Sequence, residues 1–169
     1  MKKAFLLITI FGIIALCSCV ESKEPIKITL PIRITARLDG SDALFTADIS
    51  ETHCDITFDE RHALSGTELH FSNEGNTATC GGFTKNVKAG IFPAQESFVK
   101  ALRIIGNSEN QGIYTEDGIK YTIDEMTIMV YYDKDTELLT GIRTEENGRR
   151  YDFTVVGFEL YEGQSNSQG

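Results

Sequence analysis

Basic residues are scarce in this sequence: 16 Lys and Arg stand against 25 Asp and Glu, a formal net charge of -9. Phosphate backbones are held by clustered Lys and Arg, so this balance argues against a nucleic-acid partner. It argues equally against electrostatic docking on anionic lipid. Tryptophan is absent and only 3 prolines occur. No G-x-S-x-G is present, and Ser65 and Ser97 lack a histidine in any nucleophile-type motif. Gly-rich phosphate signatures are missing as well, and Gly81-Gly82 reads as a turn or bulge. The carboxylates are scattered over turn positions, which suits solubility better than paired acid–base work. Together these absences point away from an enzyme, and no cofactor is implied.

Histidine and cysteine are also few. His53, His62, His70, Cys54 and Cys80 all fall between positions 53 and 80, yet no C-x₂-C or H-x₃-H pair stands among them. Strand phase sends His53 and His70 outward and Cys54 and Cys80 inward, so the histidines are not expected to converge on a metal. Export would permit a Cys54–Cys80 disulfide. A simple meander, however, sets the two at opposite strand ends and two strands apart, beyond the reach of a bridge, which favours two buried thiols. Asp133-Lys134-Asp135-Thr136-Glu137 opens like a calcium loop. Leu138 then stands where the glycine is required and Thr144 where the closing glutamate is required, so it reads as a solvated hairpin turn.

The chain has one long apolar run, Ala4 to Leu16 behind Met1-Lys2-Lys3. It is short for a membrane span, which takes about 20 residues. A basic start, a short apolar core and small residues after it make a secretory signal peptide. Leu16-Cys17-Ser18-Cys19 then resembles a bacterial lipoprotein signal, with Leu three residues before the cysteine and a small residue just before it. Cys19 fits that pattern and Cys17 does not. The resemblance implies that residues 1–18 are removed and that Cys19 carries the lipid. The alternative is an ordinary cleaved signal with incidental cysteines. Cleavage takes away Lys2 and Lys3, leaving the remainder two charges more negative than -9. Residues 19–25 read as a polar tether, 26–161 as one folded domain and 162–169 as a polar tail. The expected location is the outer face of the bacterial cell membrane, or an outer membrane.

The body alternates with period two. Ile28, Leu30, Ile32, Ile34, Ala36 and Leu38 share one face of a strand, with polar residues between them. Pro31 cannot donate to a ladder, which predicts an edge strand here. Alternation recurs over 44–49, 54–58, 69–71, 78–80, 83–91, 112–115, 119–123, 127–132, 139–144 and 149–160. Asp39-Gly40, Glu74-Gly75-Asn76, Asp117-Gly118 and Asn147-Gly148 give turn signals between them. The last segment changes phase after Val155, which predicts a bulge near Val155 or Gly157. Only Pro93 to Ile105 is helical in period, through Phe98, Val99, Leu102 and Ile105, with Gly106 as the stop. About ten meandering strands with one amphipathic helix must curl around that helix.

The closing run Val130-Tyr-Tyr-Asp-Lys-Asp-Thr-Glu-Leu-Leu-Thr-Gly-Ile-Arg-Thr-Glu-Glu-Asn-Gly-Arg-Arg-Tyr-Asp-Phe-Thr is similar to the end of LolA-like proteins, the lipoprotein carriers, and of their lipid-binding relatives such as LppX. That ending is a strand, an acidic turn, an apolar strand with Arg, a turn, and a strand leading to a phenylalanine that Phe158 matches. The family's Thr-Gly-Leu-Pro is replaced by Thr136-Glu137-Leu138-Leu139. The resemblance extends over most of the chain in order of elements, and over this run in recognisable residues. It implies a mostly β (α+β) fold: an unclosed, strongly curved antiparallel half-barrel of about ten strands, with one helix covering its concave face. It implies a lipid acyl chain or another apolar small molecule as ligand, and brings no catalytic residues.

The candidate ligand-binding residues beneath the helix Ala94 to Ile105 are Ile34, Phe45, Phe71, Phe98, Leu102, Val130 and Phe153. The alternative is a solid core in a structural or interaction lipoprotein. Such a protein would meet an envelope protein partner through the edge around Pro31 or through its acidic turns.

Overall fold

The computed structural model describes residues 28–41, 44–107 and 109–161. The signal segment, the tether, Cys19 and the tail lie outside the described residues. The described chain forms eleven strands and one helix. These are β1 (Ile32–Leu38), β2 (Leu44–Ile49), β3 (His53–Phe58), β4 (Thr67–Ser72), β5 (Gly75–Cys80) and β6 (Phe83–Val87), then α1 (Pro93–Gly106). After the helix come β7 (Ile113–Tyr114), β8 (Ile119–Ile123), β9 (Met126–Tyr132), β10 (Leu139–Glu146) and β11 (Arg149–Leu160).

All eleven strands join one antiparallel sheet in the order β6-β5-β4-β3-β2-β1-β11-β10-β9-β8-β7. Each run of hairpins is a plain meander, and the two runs meet where β1 pairs β11. The end strands β6 and β7 do not pair with each other, so the sheet is unclosed. The connection between those two edges is the helix segment, so α1 crosses the sheet instead of extending it.

Turn chemistry explains the hairpins. Asn147 and Gly148 both take left-handed φ, 53° and 72°, the pairing that a two-residue turn between right-twisted strands requires. Gly81 and Gly82 (58° and 82°) turn β5 into β6 in the same way. Between β4 and β5, Ser72 pairs with Gly75, so the turn lies at Asn73-Glu74, one residue before the sequence signal. The expected bulge is present: Thr35 faces Gly157 and Ala36 faces Val155, leaving Val156 as the extra residue of β11.

The expected edge at β1 is overturned. β1 is the central strand, paired with β2 on one side and β11 on the other. Pro31 lies just before it, where its carbonyl accepts the Tyr161 N–H at 3.4 Å, so the ladder never needs the missing donor.

One face of the sheet is mostly apolar. Ile32, Ile34, Ala36, Phe45, Ala47, Ile49, Cys54, Ile56, Leu69, Ile128, Val130, Ile142 and Phe153 are buried there. They form one cluster with Ala94, Phe98, Val99, Ala101, Leu102 and Ile105 of α1. Apolar burial on this scale is the main stabilising term of such a fold. The described residues between 28 and 161 close this core among themselves, as a unit that folds alone must. Cys80 departs from expectation. It lies on the same sheet face as Ala78 but is exposed, because β5 runs on past the cover that the helix provides. Cys54 is buried, and the two thiols are free.

Candidate functional site

The site is built on α1. Pro93 sits in its first turn, where the missing N–H costs nothing. The Glu96 carboxylate reaches back to accept the Gly90 N–H at 2.8 Å and fastens the entry loop to the helix. At the far end Asn107 N–H bonds the Arg103 carbonyl, and Asn110 Nδ2 donates to the Ile104 carbonyl at 2.8 Å. Gly106 is the last helical residue, as the sequence indicates, but for a packing reason. A Cβ there would lie 2.7 Å from Leu30 Cγ.

All seven residues singled out by sequence come together in the cluster that α1 covers. Ile34, Phe98, Leu102 and Val130 are fully buried, and Phe45, Phe71 and Phe153 nearly so. Phe98 enters between two sheet phenylalanines. Its ring meets Phe45 edge-on at 5.2 Å between centroids and Phe153 at 4.7 Å. Phe45 and Phe153 in turn stand 6.2 Å apart, again at right angles. These are the geometries that ring quadrupoles favour.

Polar groups fix the helix over this apolar bed. Ser97 Oγ donates to Thr144 Oγ1 at 2.8 Å inside the core. Lys100 pairs with Glu146 at the surface. On the other flank, Arg103 Nη2 donates to the Phe71 carbonyl at 3.1 Å, tying the helix to β4.

Two open grooves of about 470 and 450 Å³ flank α1. The first, toward β10 and β11, is lined by charged and polar side chains including Glu96, Lys100, Glu146 and Arg149. The second lies on the Arg103 flank, between the helix, β4 and the β8–β9 turn. Phe71, Val99, Ile104 and Ile123 give it apolar walls, while Glu96, Lys100, Arg103 and Asp124 supply charge of both signs and three asparagines add polar groups. Its size falls within the range of small-molecule clefts. Phe71 is the member of the sequence-derived seven that lines it. Val99, Arg103, Ile104 and Ile123 were not singled out. The signal for Arg103 was available: it is a lone cation inside the apolar run Leu102-Arg103-Ile104-Ile105.

The histidines lie apart from this groove. His53 and His70 lie on the outer face, where their rings stack with centroids 6.0 Å apart. His70 Nδ1 lies 2.5 Å from Asp55 Oδ1. His62 stacks instead on Phe58 at 4.7 Å. Asp55 belongs to a file of ionisable side chains across four strands, Arg33, Asp48, Asp55 and His70, in which the two carboxylates face each other between their partners. Burial in the core pushes the Cys54 thiol far above its ordinary pKa, so this cysteine is not a reactive thiolate.

No protein-family model and no curated protein matches the chain. Among solved structures it is similar to the LolA superfamily protein NE2245 from Nitrosomonas europaea. The TM-score is 0.43 at 8% identity, over 81% of this chain and 90% of that chain.

Proposed function

We propose that this chain is a membrane-tethered extracytoplasmic lipoprotein, held through lipid on Cys19, whose sheet and helix bind a lipid acyl chain or another apolar molecule. The supporting observation is the groove on the Arg103 flank. Its apolar walls run into the buried cluster through Phe71 and Val99, which belong to both. An acyl chain laid there gains about 0.8 kcal/mol for each CH₂ it buries. Access to Ile34, Phe45, Phe98, Leu102, Val130 and Phe153 requires α1 to lift. A tethered protein shuttles poorly, so storage, sensing or handover close to the membrane is the use this reading favours.

The second reading is an interaction lipoprotein with a solid core. The tight contacts among Phe45, Phe98 and Phe153 favour it. Its contact surface would be a sheet edge, at β6 with exposed Phe83 or at β7 with exposed Ile113 and Tyr114, and not the neighbourhood of Pro31.

Native mass spectrometry of the stretch Glu21 to Gly169, purified without detergent, separates the two. Added mass that organic solvent removes and that matches a lipid supports the binding protein. A bare mass, unchanged after incubation with membrane lipid extract, leaves the interaction protein.

A further inference from the structure

The groove on the Arg103 flank holds a cation whose bonding is incomplete. Arg103 Nη2 donates to the Phe71 carbonyl, but its Nε is buried and meets no acceptor among the described residues. A charged donor left unsatisfied out of water is costly, and an incoming acceptor would recover that cost. Glu51 shares the cleft on the other side of Arg103 and forms no ion pair with it among the described residues, and two charges of the groove itself are already bonded. Lys100 pairs with Glu146, and Glu96 accepts the Gly90 N–H. Asp124 stands exposed on the opposite rim, in the β8–β9 turn, and forms no ion pair with Arg103 among the described residues.

Resting on the binding reading above, we infer that Arg103 is the head-group-recognising residue of this groove and that the ligand is a single-chain carboxylate amphiphile. Its carboxylate meets the guanidinium fork, and its chain lies along Phe71, Val99, Ile104 and Ile123. A guanidinium presents parallel donors that match a carboxylate. Arg103 is the one lining cation that no carboxylate pairs with among the described residues, and Glu96 and Asp124 line the same groove, so a singly charged head suits it better than a doubly charged phosphate.

The test titrates the stretch Glu21 to Gly169, which contains the self-closed body, with hexadecanoate and with hexadecan-1-ol below their solubility limits. The two probes share a chain and differ in head charge. Hexadecanoate should bind about tenfold or more tighter, the value of one charge-assisted hydrogen bond. Arg103→Met should close that gap while leaving the alcohol's affinity in place. Asp124→Asn removes the rim carboxylate at a left-handed position that Asn accepts, and should widen the gap about twofold.

Equal affinity of the two probes for the unaltered protein would overturn the role of Arg103 and leave apolar binding standing. Binding of neither probe would overturn both readings together. Should Arg103→Met fail to fold, Asp124→Asn decides alone: an unchanged gap counts against the inference.

Discussion

Ser97 Oγ and Thr144 Oγ1 meet at 2.8 Å in the buried seam between α1 and β10, the only two polar residues among the buried side chains of the described chain. Each hydroxyl satisfies the other where water does not reach. The pair therefore sets the position of the helix along β10, since a slip by one residue would strand both groups.

Thr144→Val should accordingly destabilise the fold by about 1–2 kcal/mol, because it leaves the Ser97 hydroxyl buried and unpaired. Adding Ser97→Ala should cost less than a second increment of that size, as the orphaned group is then gone. Urea unfolding of the two single variants and the double variant measures the coupling. Strict additivity would mean that the hydroxyls do not depend on each other.

The β9–β10 turn offers a gain in stability. Asp133 Oδ1 accepts the Asp135 and Thr136 N–H groups at 3.1 and 2.8 Å, and Glu137 closes the turn with φ at 61°. Glu137 holds this left-handed geometry without being glycine, the residue that adopts it freely. Glu137→Gly should stabilise by about 0.5–1 kcal/mol, the relief of left-handed strain less the added chain entropy of glycine. A rise in the thermal midpoint checks it, and a fall would mean that the Glu137 side chain contributes more than its backbone costs.

At the neighbouring turn the glycine is required. A Cβ on Gly118 would overlap the Val130 carbonyl oxygen of the facing strand. Backbone cannot yield as a flexible side chain does, so Gly118→Ala should part β8 from β9 locally. Amide hydrogen exchange should show lost protection at residues 119–123 while β1 to β4 keep theirs.

In the core, Leu102→Ala should cost about 2–5 kcal/mol, since Leu102 is fully buried in the centre of the helix face. The spread depends on how far α1 settles into the space. Under the proposed function the same variant widens the room beneath the helix, so apolar ligand should be retained by it. A charged residue at position 102 should abolish retention.

Acid should weaken the fold through two carboxylates. At Asp48 burial pushes the pKa up, but hydrogen bonds from Arg33 and Tyr161, with the charge of Arg33, outweigh it and hold the group below its ordinary value of 3.8. At Asp152 burial again pushes up, and hydrogen bonds from Arg150 and Arg143 with their charges again prevail. A carboxyl with a lower pKa folded than unfolded adds stability that is complete above the unfolded value. That stability drains away as pH falls through the folded value. The thermal midpoint should thus hold near neutrality and drop below about pH 5. Asp152→Asn should lower the folding stability by about 1 kcal/mol at neutral pH, a modest figure for a partly exposed pair, and make the acid limb shallower.

Much of the architecture was legible because strand alternation and helix period are local properties. The faces of β1, the limits of α1, the bulge at Val156 and the Asn147-Gly148 turn each follow from a few adjacent residues. The seven apolar residues beneath the helix were legible for the same reason, since an inward phase marks them one strand at a time. Other features depended on partners far along the chain. Pro31 marked an edge by its missing donor, yet β1 is central because β11, more than 100 residues later, returns to its free side. The phase of Cys80 was right, but its exposure depends on where the helix ends its cover of β5. The stacking of His53 on His70 likewise required the register of β3 on β4.

The sequence by itself determined the mostly β composition, the helix and its apolar face, the acidic surface, and the lipoprotein-like start that sets the expectation for Cys19. Those are matters of residue type and short spacing. Only the tertiary structure decided the strand order, which edges stay open, and that Arg103 lies in a partly apolar groove with its Nε unpartnered among the described residues. Such facts turn on which distant groups come within hydrogen-bonding reach, and long-range packing alone sets that.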